Sequence, residues 1–258
     1  MEVVCALLSG GAKVNLQAME GFSPLHMACQ GGHIEVVHAL LLAGAKVQPA
    51  VREWFLTPVI ACQDGHTEVV RALLSEGAKV DLQINDGGSP LYVASQLGHT
   101  EVVRTLLSEG AKVDLQANNG SSPLHVACQL GNMEVVHVLL SAGAKVDLPT
   151  SHVFSPLHVA CRYDHIGAIR ALLSAGARAD LLDMYGRTPL DHSPRALRAE
   201  VERLVQQAKE ERGSTRADEQ FIFFRFGGLH YLLLHGNKSR YFEMLTFLTF
   251  CRSLRSLN

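Results

Sequence analysis

The 258-residue chain carries almost no net charge: 23 Lys plus Arg against 25 Asp plus Glu leave −2. A balance so near zero excludes a generally basic nucleic-acid binder. Six cysteines in this length are too sparse for a secreted disulfide scaffold, and no CxxC pair occurs. No run approaches the roughly 20 apolar residues that a membrane span requires. The opening Met1–Gly10 (MEVVCALLSG) lacks the basic flank and small-residue cleavage site of a signal peptide. GxSxG, HExxH and a glycine-rich dinucleotide turn are missing, and Gly236-Asn-Lys-Ser239 lacks the leading glycine and spacing of a phosphate loop. These gaps leave no catalytic constellation and imply no cofactor and no metal, so the chain reads as non-enzymatic. Its 47% apolar and 19% charged residues are those of a globular chain rather than a disordered one. The lack of a signal and the unpaired-looking thiols point to a reducing compartment, cytoplasmic or nuclear.

What the sequence has is repetition. Glu68–Gln83 (EVVRALLSEGAKVDLQ) and Glu101–Gln116 (EVVRTLLSEGAKVDLQ) differ only at Ala72 and Thr105, at an offset of 33. The same offset links Gly44, Gly77, Gly110, Gly143 and Gly176, and also Ala28, Ala61, Ala94, Ala127 and Ala160. Five full units follow between residues 17 and 181. A half unit, residues 1–16, precedes them, and a degenerate capping unit, residues 182–212, follows. The half unit presents an unmatched seam where a polar cap is expected, which suggests a truncated product.

Local rules predict the shape of one unit. Ser89-Pro90, Ser122-Pro123, Ser155-Pro156 and Thr188-Pro189 each set a hydroxyl N-cap before a proline at the first helical position. A short helix follows, such as Pro123–Gln129, and Gly131 ends it. A second helix runs from about Met133 to Leu140, with Glu134 near its N-terminus, where the dipole favours an anion. Val135, Val136, Leu139 and Leu140 form its apolar stripe. Gly143 then stops the helix. Asn119-Gly120 or Asp86-Gly87 makes a tight projecting turn.

This pattern resembles the ankyrin repeat family. The resemblance rests on Ser122-Pro-Leu-His125, Gly98-His99-Thr-Glu101-Val-Val103, and Leu106-Leu107 with Gly110-Ala111, and it covers about residues 1–212. It implies an all-α solenoid of stacked helix-turn-helix units with β-turn fingertips along a concave groove. One helix pair cannot bury its own stripe, so neighbours must stack. Units two and five depart from the pattern. Phe55-Leu-Thr-Pro-Val59 replaces the Ser-Pro-Leu-His run, and Trp54 and Val153 stand at a turn site that is usually glycine. The fingertip geometry of both units is therefore in question.

Columns of reactive residue types suggest chemistry that geometry resists. Cys29, Cys62, Cys128 and Cys161 share one column, with Ser95 in the third unit. Stacked helices lie about 8–10 Å apart, too far for disulfide or zinc geometry, so these thiols read as small buried hydrophobes. His26, His125 and His158, and His33, His66, His99 and His165, read as hydrogen-bonding ties between units. Tyr92 and Asn132 replace two of them without disturbing the period. Lys46, Lys79, Lys112, Lys145 and Arg178 line up either to attract an acidic partner or as a solvated loop edge.

Variation between units marks the candidate binding surface, because in the resembled family fingertip and groove positions touch the ligand. The candidate contact residues are Met19, Phe22, Arg52, Trp54, Phe55, Asn85, Leu97, Asn118, Leu130, His152, Phe154, Arg162, Tyr163, Tyr185 and Arg187. Their aromatic members would make good anchors. The alternatives are solvated helix ends and, for Trp54, a satellite core. The expected partner is another protein held by a monomeric, non-catalytic scaffold or adaptor, with no nucleic acid and no membrane span.

After Arg212 the period is gone, and seven of the ten phenylalanines lie in residues 213–258. Gly213–Asp218 reads as a linker. Phe221–Leu234 is apolar but interrupted by Arg225, Gly227, Gly228 and His230. This tail reads as poorly ordered or weakly packed, or as a cap on the last repeat. Thr246-Phe-Leu-Thr-Phe-Cys251 resembles the start of a SOCS box, which implies recruitment of elongin and a cullin ubiquitin ligase. A remaining alternative is a fragment of a larger ankyrin-repeat protein.

Overall fold

The structure is a computed structural model, and it describes residues 1–18, 22–47, 57–218, 221–226 and 229–234, with side chains described as far as residue 211. The chain divides into two compact units, Met1–Leu204 and Val205–Asn258.

The first unit opens with a single helix, α1 (Glu2–Ser9). Helix pairs follow: α2 (Pro24–Gln30) with α3 (Ile34–Leu42), α4 (Thr57–Gln63) with α5 (Thr67–Ser75), and α6 (Pro90–Leu97) with α7 (Thr100–Ser108). Then come α8 (Pro123–Leu130) with α9 (Met133–Ser141), and α10 (Pro156–Arg162) with α11 (Ile166–Ser174). The first helices of successive pairs pack on one another, and so do the second helices, which makes two parallel layers. The all-α solenoid expected from the sequence is the architecture of these repeats.

The helix starts follow from their sequence. Ser23 and Ser155 accept the N–H of His26 and His158 on their side-chain oxygens, and a proline fills the first helical position in each case. His66, His99, Asn132 and His165 stand at the N-cap of the second helices without capping them, because their side chains reach the preceding unit instead. Glu68, Glu101 and Glu134 in the first turn complement the exposed N–H groups electrostatically.

The core is a set of columns. Leu25, Leu91, Leu124 and Leu157 are at most 1% exposed, and Leu73, Leu106, Leu139 and Leu172 of the second helices are fully buried. The alanine column and Cys29, Cys62, Cys128 and Cys161 are buried beside them. Burial pushes the Cys29 thiol up to about 12 and the Cys161 thiol to about 11, so both stay protonated and unreactive. Leu→Ala in such a column costs about 2–5 kcal/mol. In contrast α1 buries no residue, and Val3, Leu7 and Leu16 are more than half exposed.

The sixth repeat is shorter than its sequence start suggests. Thr188-Pro189 initiates only a 3₁₀ turn, Pro189–His192. Pro194 disfavours helical geometry at the residue before it, and Ser193 is extended (φ −68°, ψ 137°). Helix α12 (Arg198–Asp218) then contributes buried Val201 and Leu204 to the first unit.

Helix α12 runs on through Gly213–Asp218, the stretch that reads as a linker. No proline interrupts it, and one glycine costs a helix only about 1 kcal/mol. In the second unit Gln206 and Gln207 donate to Glu210 and Glu211 one turn on. The tail adds an antiparallel hairpin, β1 (Phe221–Phe226) with β2 (Leu229–Leu234), in which Phe221 pairs with Leu234 and Phe226 with Leu229. Two six-residue runs rich in Phe, Ile and Leu on either side of Gly227-Gly228 account for it. The Thr246–Cys251 segment lies outside the described residues.

Candidate interaction groove

Neighbouring units are tied by three ladders that hold the surface in register. In the first, the helix-start histidines act as bridges. His125 Nδ1 accepts the Ser122 N–H at 3.1 Å, and its Nε2 donates to the Phe154 carbonyl of the next unit, also at 3.1 Å. His158 makes the same link from Ser155 to the Arg187 carbonyl. Both geometries require the neutral Nε2–H tautomer. Burial pushes His125 down to about 4 and lowers His158 as well.

In the second ladder, His66, His99 and His165 reach back to the carbonyls of Gln30, Gln63 and Gln129 at 2.9–3.0 Å. Asn132 replaces the imidazole with its amide, which donates to the carbonyls of Ser95 and Gln96. Among the described residues the histidines of both columns other than His33 are therefore structural ties, as expected.

Sequence reasoning missed the third ladder. Asp81, Asp114 and Asp147 accept the backbone N–H of Lys112, Lys145 and Arg178 at 2.9–3.0 Å, and Asn15 does the same for Lys46. The signal was present as an Asp column at the 33-residue period. The lysines thus sit in a ladder through their main chain, and their side chains are exposed.

The fingers stack as well. Asn118 N–H donates to the Asp86 carbonyl and Ser151 N–H to the Asn119 carbonyl. The Asn118 side-chain amide donates to the Asn85 carbonyl at 2.8 Å. A Cβ at Gly87 would lie 2.5 Å from the Asn118 nitrogen, at a φ of +82°, so only glycine fits there. Val153 occupies the equivalent site in unit five and keeps the turn, with φ 63° and its N–H on the Thr150 carbonyl. The unit-five finger therefore survives its departure from the pattern, at a cost in backbone strain. The unit-two finger lies outside the described residues.

At the C-terminal ends of the first helices, Leu97, Leu130 and Tyr163 occupy equivalent positions in three successive units. They are 47%, 49% and 46% exposed. Gln129 donates its amide to the Tyr163 hydroxyl at 3.3 Å. Five of the candidate residues, His152, Phe154, Arg162, Tyr185 and Arg187, converge on an open depression of about 480 Å³ at the fifth and sixth units. Phe154 is held edge-on by His158 and His192, at 5.9 and 5.3 Å between ring centres. Arg187 lies 4.8 Å over the Tyr185 ring. Phe22 makes an edge contact with His26 at 6.4 Å, and Asn85 and Asn118 belong to the finger stack away from this depression. Met19, Arg52, Trp54 and Phe55 lie outside the described residues.

Asp183, absent from the sequence-based candidates, organises the depression from beneath. It is buried and accepts the N–H groups of Tyr185 and Arg187 on one oxygen. Its other oxygen accepts from the Arg187 guanidinium at 3.1 Å and from His192 Nε2 at 2.9 Å. Burial alone raises its pKa, but these donors and the Arg187 charge outweigh burial and hold the carboxyl well below the usual range. Among the described residues no cluster of three metal-ligating side chains occurs, and no helix is long and apolar enough to cross a membrane.

A family model for Ankyrin repeats (3 copies) matches residues 1–84 and 58–150, and one for Ankyrin repeat matches residues 154–184. The chain belongs to the ankyrin repeat family. Ankyrin repeats are protein–protein interaction modules, and the fold is generally a non-catalytic scaffold. Among solved structures the chain is similar to the crystal structure of the human ASB11 ankyrin repeat domain, at 31% identity and a TM-score of 0.71, over 79% of this chain and 90% of that one. No curated protein matches the chain.

Proposed function

We propose that the chain is a non-catalytic scaffold or adaptor that grips a partner protein along the ankyrin groove and fingertips. One observation carries this reading. Leu97, Leu130 and Tyr163 keep about half their surface in water in successive units, while the leucines of the core columns are fully buried. Repeated exposure of large apolar groups along one line marks an interaction surface, and aromatic anchors dominate binding energy. The ladders that fix neighbouring units leave little to order on binding, which favours affinity. The reading includes a monomeric chain working in the cytoplasm or nucleus.

The test is affinity capture from native lysate with the full chain as bait, beside a Leu130→Arg/Tyr163→Arg bait. A partner retained by the first and lost by the second, with the thermal midpoints of the two baits within about 2 °C, is the expected result. Equal capture by both baits would remove the groove from the account. The narrower role of ubiquitin-ligase adaptor rests on Thr246–Cys251 alone, and failure of the full chain to bind elongin B and C would end it.

A further inference from the structure

The depression beneath the fifth and sixth fingers has a chemistry that the rest of the groove lacks. Leu97, Leu130 and Tyr163 are apolar anchors, spaced by the roughly 10 Å between stacked helices. Arg162, the residue next to Tyr163, lines the depression together with His152 and Arg187. Among the described residues Arg162 makes no ion pair. Arg187 is fixed in place by Asp183 below and the Tyr185 ring beside it. Asp183 offsets the charge of Arg187 and takes its Nε and Nη2, so Arg162 is the unmatched cation and Arg187 adds only its remaining Nη N–H groups. Phe154 and Tyr185 wall the space with aromatic surface.

Two non-glycine residues with left-handed backbone flank it. Val153 (φ 63°) lies between His152 and Phe154, and Asp164 (φ 64°) lies two residues after Arg162. Among the described residues these are the non-glycine positions with positive φ. Both hold positions that other units fill with positive-φ glycine, Gly87 and Gly120 for Val153 and Gly98 and Gly131 for Asp164, so this geometry belongs to the repeat.

We propose that this depression is an acidic-side-chain subsite. It takes an Asp or Glu of a partner polypeptide whose neighbouring apolar residues run over Tyr163, Leu130 and Leu97. The occupant is a protein segment rather than a nucleic acid. The cations are few and localised, whereas the adjoining stripe is uncharged and suits apolar side chains rather than a phosphate backbone. An arginine fork matches a carboxylate geometrically and gains strength where aromatic walls limit water. The apolar stripe supplies area, and the charged end supplies register and direction. This inference rests on the groove reading above and adds the chemistry of the partner to it.

The test is a random 12-residue peptide library displayed on phage and selected against the full chain. Enriched peptides are then measured by fluorescence anisotropy against the full chain, Arg162→Glu, Arg162→Lys and Leu130→Arg. The expected outcome is enrichment of sequences with one Asp or Glu beside two or more apolar residues. Arg162→Glu then weakens them at least tenfold, Arg162→Lys weakens them less, and replacing the acidic residue by Gln or Asn reproduces the loss. Peptides without an acidic residue, or peptides indifferent to Arg162→Glu, overturn the subsite. If those same peptides are lost on Leu130→Arg, the groove reading stands without it; if they are indifferent to both, neither stands. A selection that enriches nothing also counts against the subsite. So does Arg162-dependent binding of a labelled single-stranded oligonucleotide, or Arg162-dependent self-association in sedimentation, in place of peptide binding.

Discussion

His125 and Phe154 stand 29 residues apart and share one hydrogen bond, from the imidazole Nε2–H to the main-chain carbonyl at 3.1 Å. That bond ties the first helix of unit four to the finger of unit five, whose Phe154 side chain walls the candidate subsite. Its geometry needs a neutral ring, and a proton on Nδ1 would displace the Ser122 N–H that the nitrogen accepts.

Stability should therefore fall in mild acid. The folded pKa of His125 lies at about 4, below its ordinary 6.5. Between those values the unfolded chain binds more protons, so the contribution is complete above pH 6.5 and drains away as the pH drops toward 4. A gap of this size corresponds to about 3 kcal/mol, and the lowered His158 adds in the same direction. Urea midpoints at pH 7.5, 6 and 5 should decrease in that order, and His125→Gln should flatten the slope. Below about pH 4 a second loss is expected, because Asp183 and Asp191 are held ionised by their hydrogen-bond donors in the fold. A flat profile from pH 7.5 to 5 would contradict the assignment of a neutral bridging histidine.

Ser95 is the weak member of the cysteine column. It is fully buried, and its hydroxyl has no hydrogen-bond partner among the described residues. An unmade buried hydrogen bond costs about 1–3 kcal/mol. Ser95→Cys restores the residue found in the other units and should raise the thermal midpoint by about 2–4 °C for each kcal/mol recovered. Calorimetry reads the change, and a lower midpoint would mean that the hydroxyl has a partner after all.

Val153→Gly should also stabilise. A left-handed conformation costs an ordinary residue about 1–2 kcal/mol, while a glycine loses about 0.5–1 kcal/mol of that gain through unfolded-state entropy. Val153 is 46% exposed, so little burial is given up. A net gain of about 0.5–1 kcal/mol is expected in urea unfolding, and a net loss would show that the valine packs against something essential.

The repeats were legible because the sequence signals agree with one another: period, hydroxyl-proline starts, glycine stops and apolar stripe all give the same answer. The histidine ties were legible from Tyr92 and Asn132, which keep the period without an imidazole. The Asp81, Asp114 and Asp147 ladder was not, because an aspartate beside a lysine reads as solvated charge until the backbone of the next unit is seen to donate to it. Asp183 escaped for a different reason. Its partners Arg187 and His192 come from the sixth unit, where the pattern degenerates, and Pro194 turns an expected helix into a single 3₁₀ turn. The tail hairpin gives no long-range signal at all, since its two strands pair only with each other.

The groove itself is tested most directly by hydrogen–deuterium exchange of the full chain with and without its captured partner. Protection on binding should concentrate around Leu97, Leu130, Tyr163 and the fingers at His152 and Tyr185, with the solvent-facing sides of α5, α7 and α9 unchanged. Protection confined to those second helices, with none along the apolar line, would contradict the account.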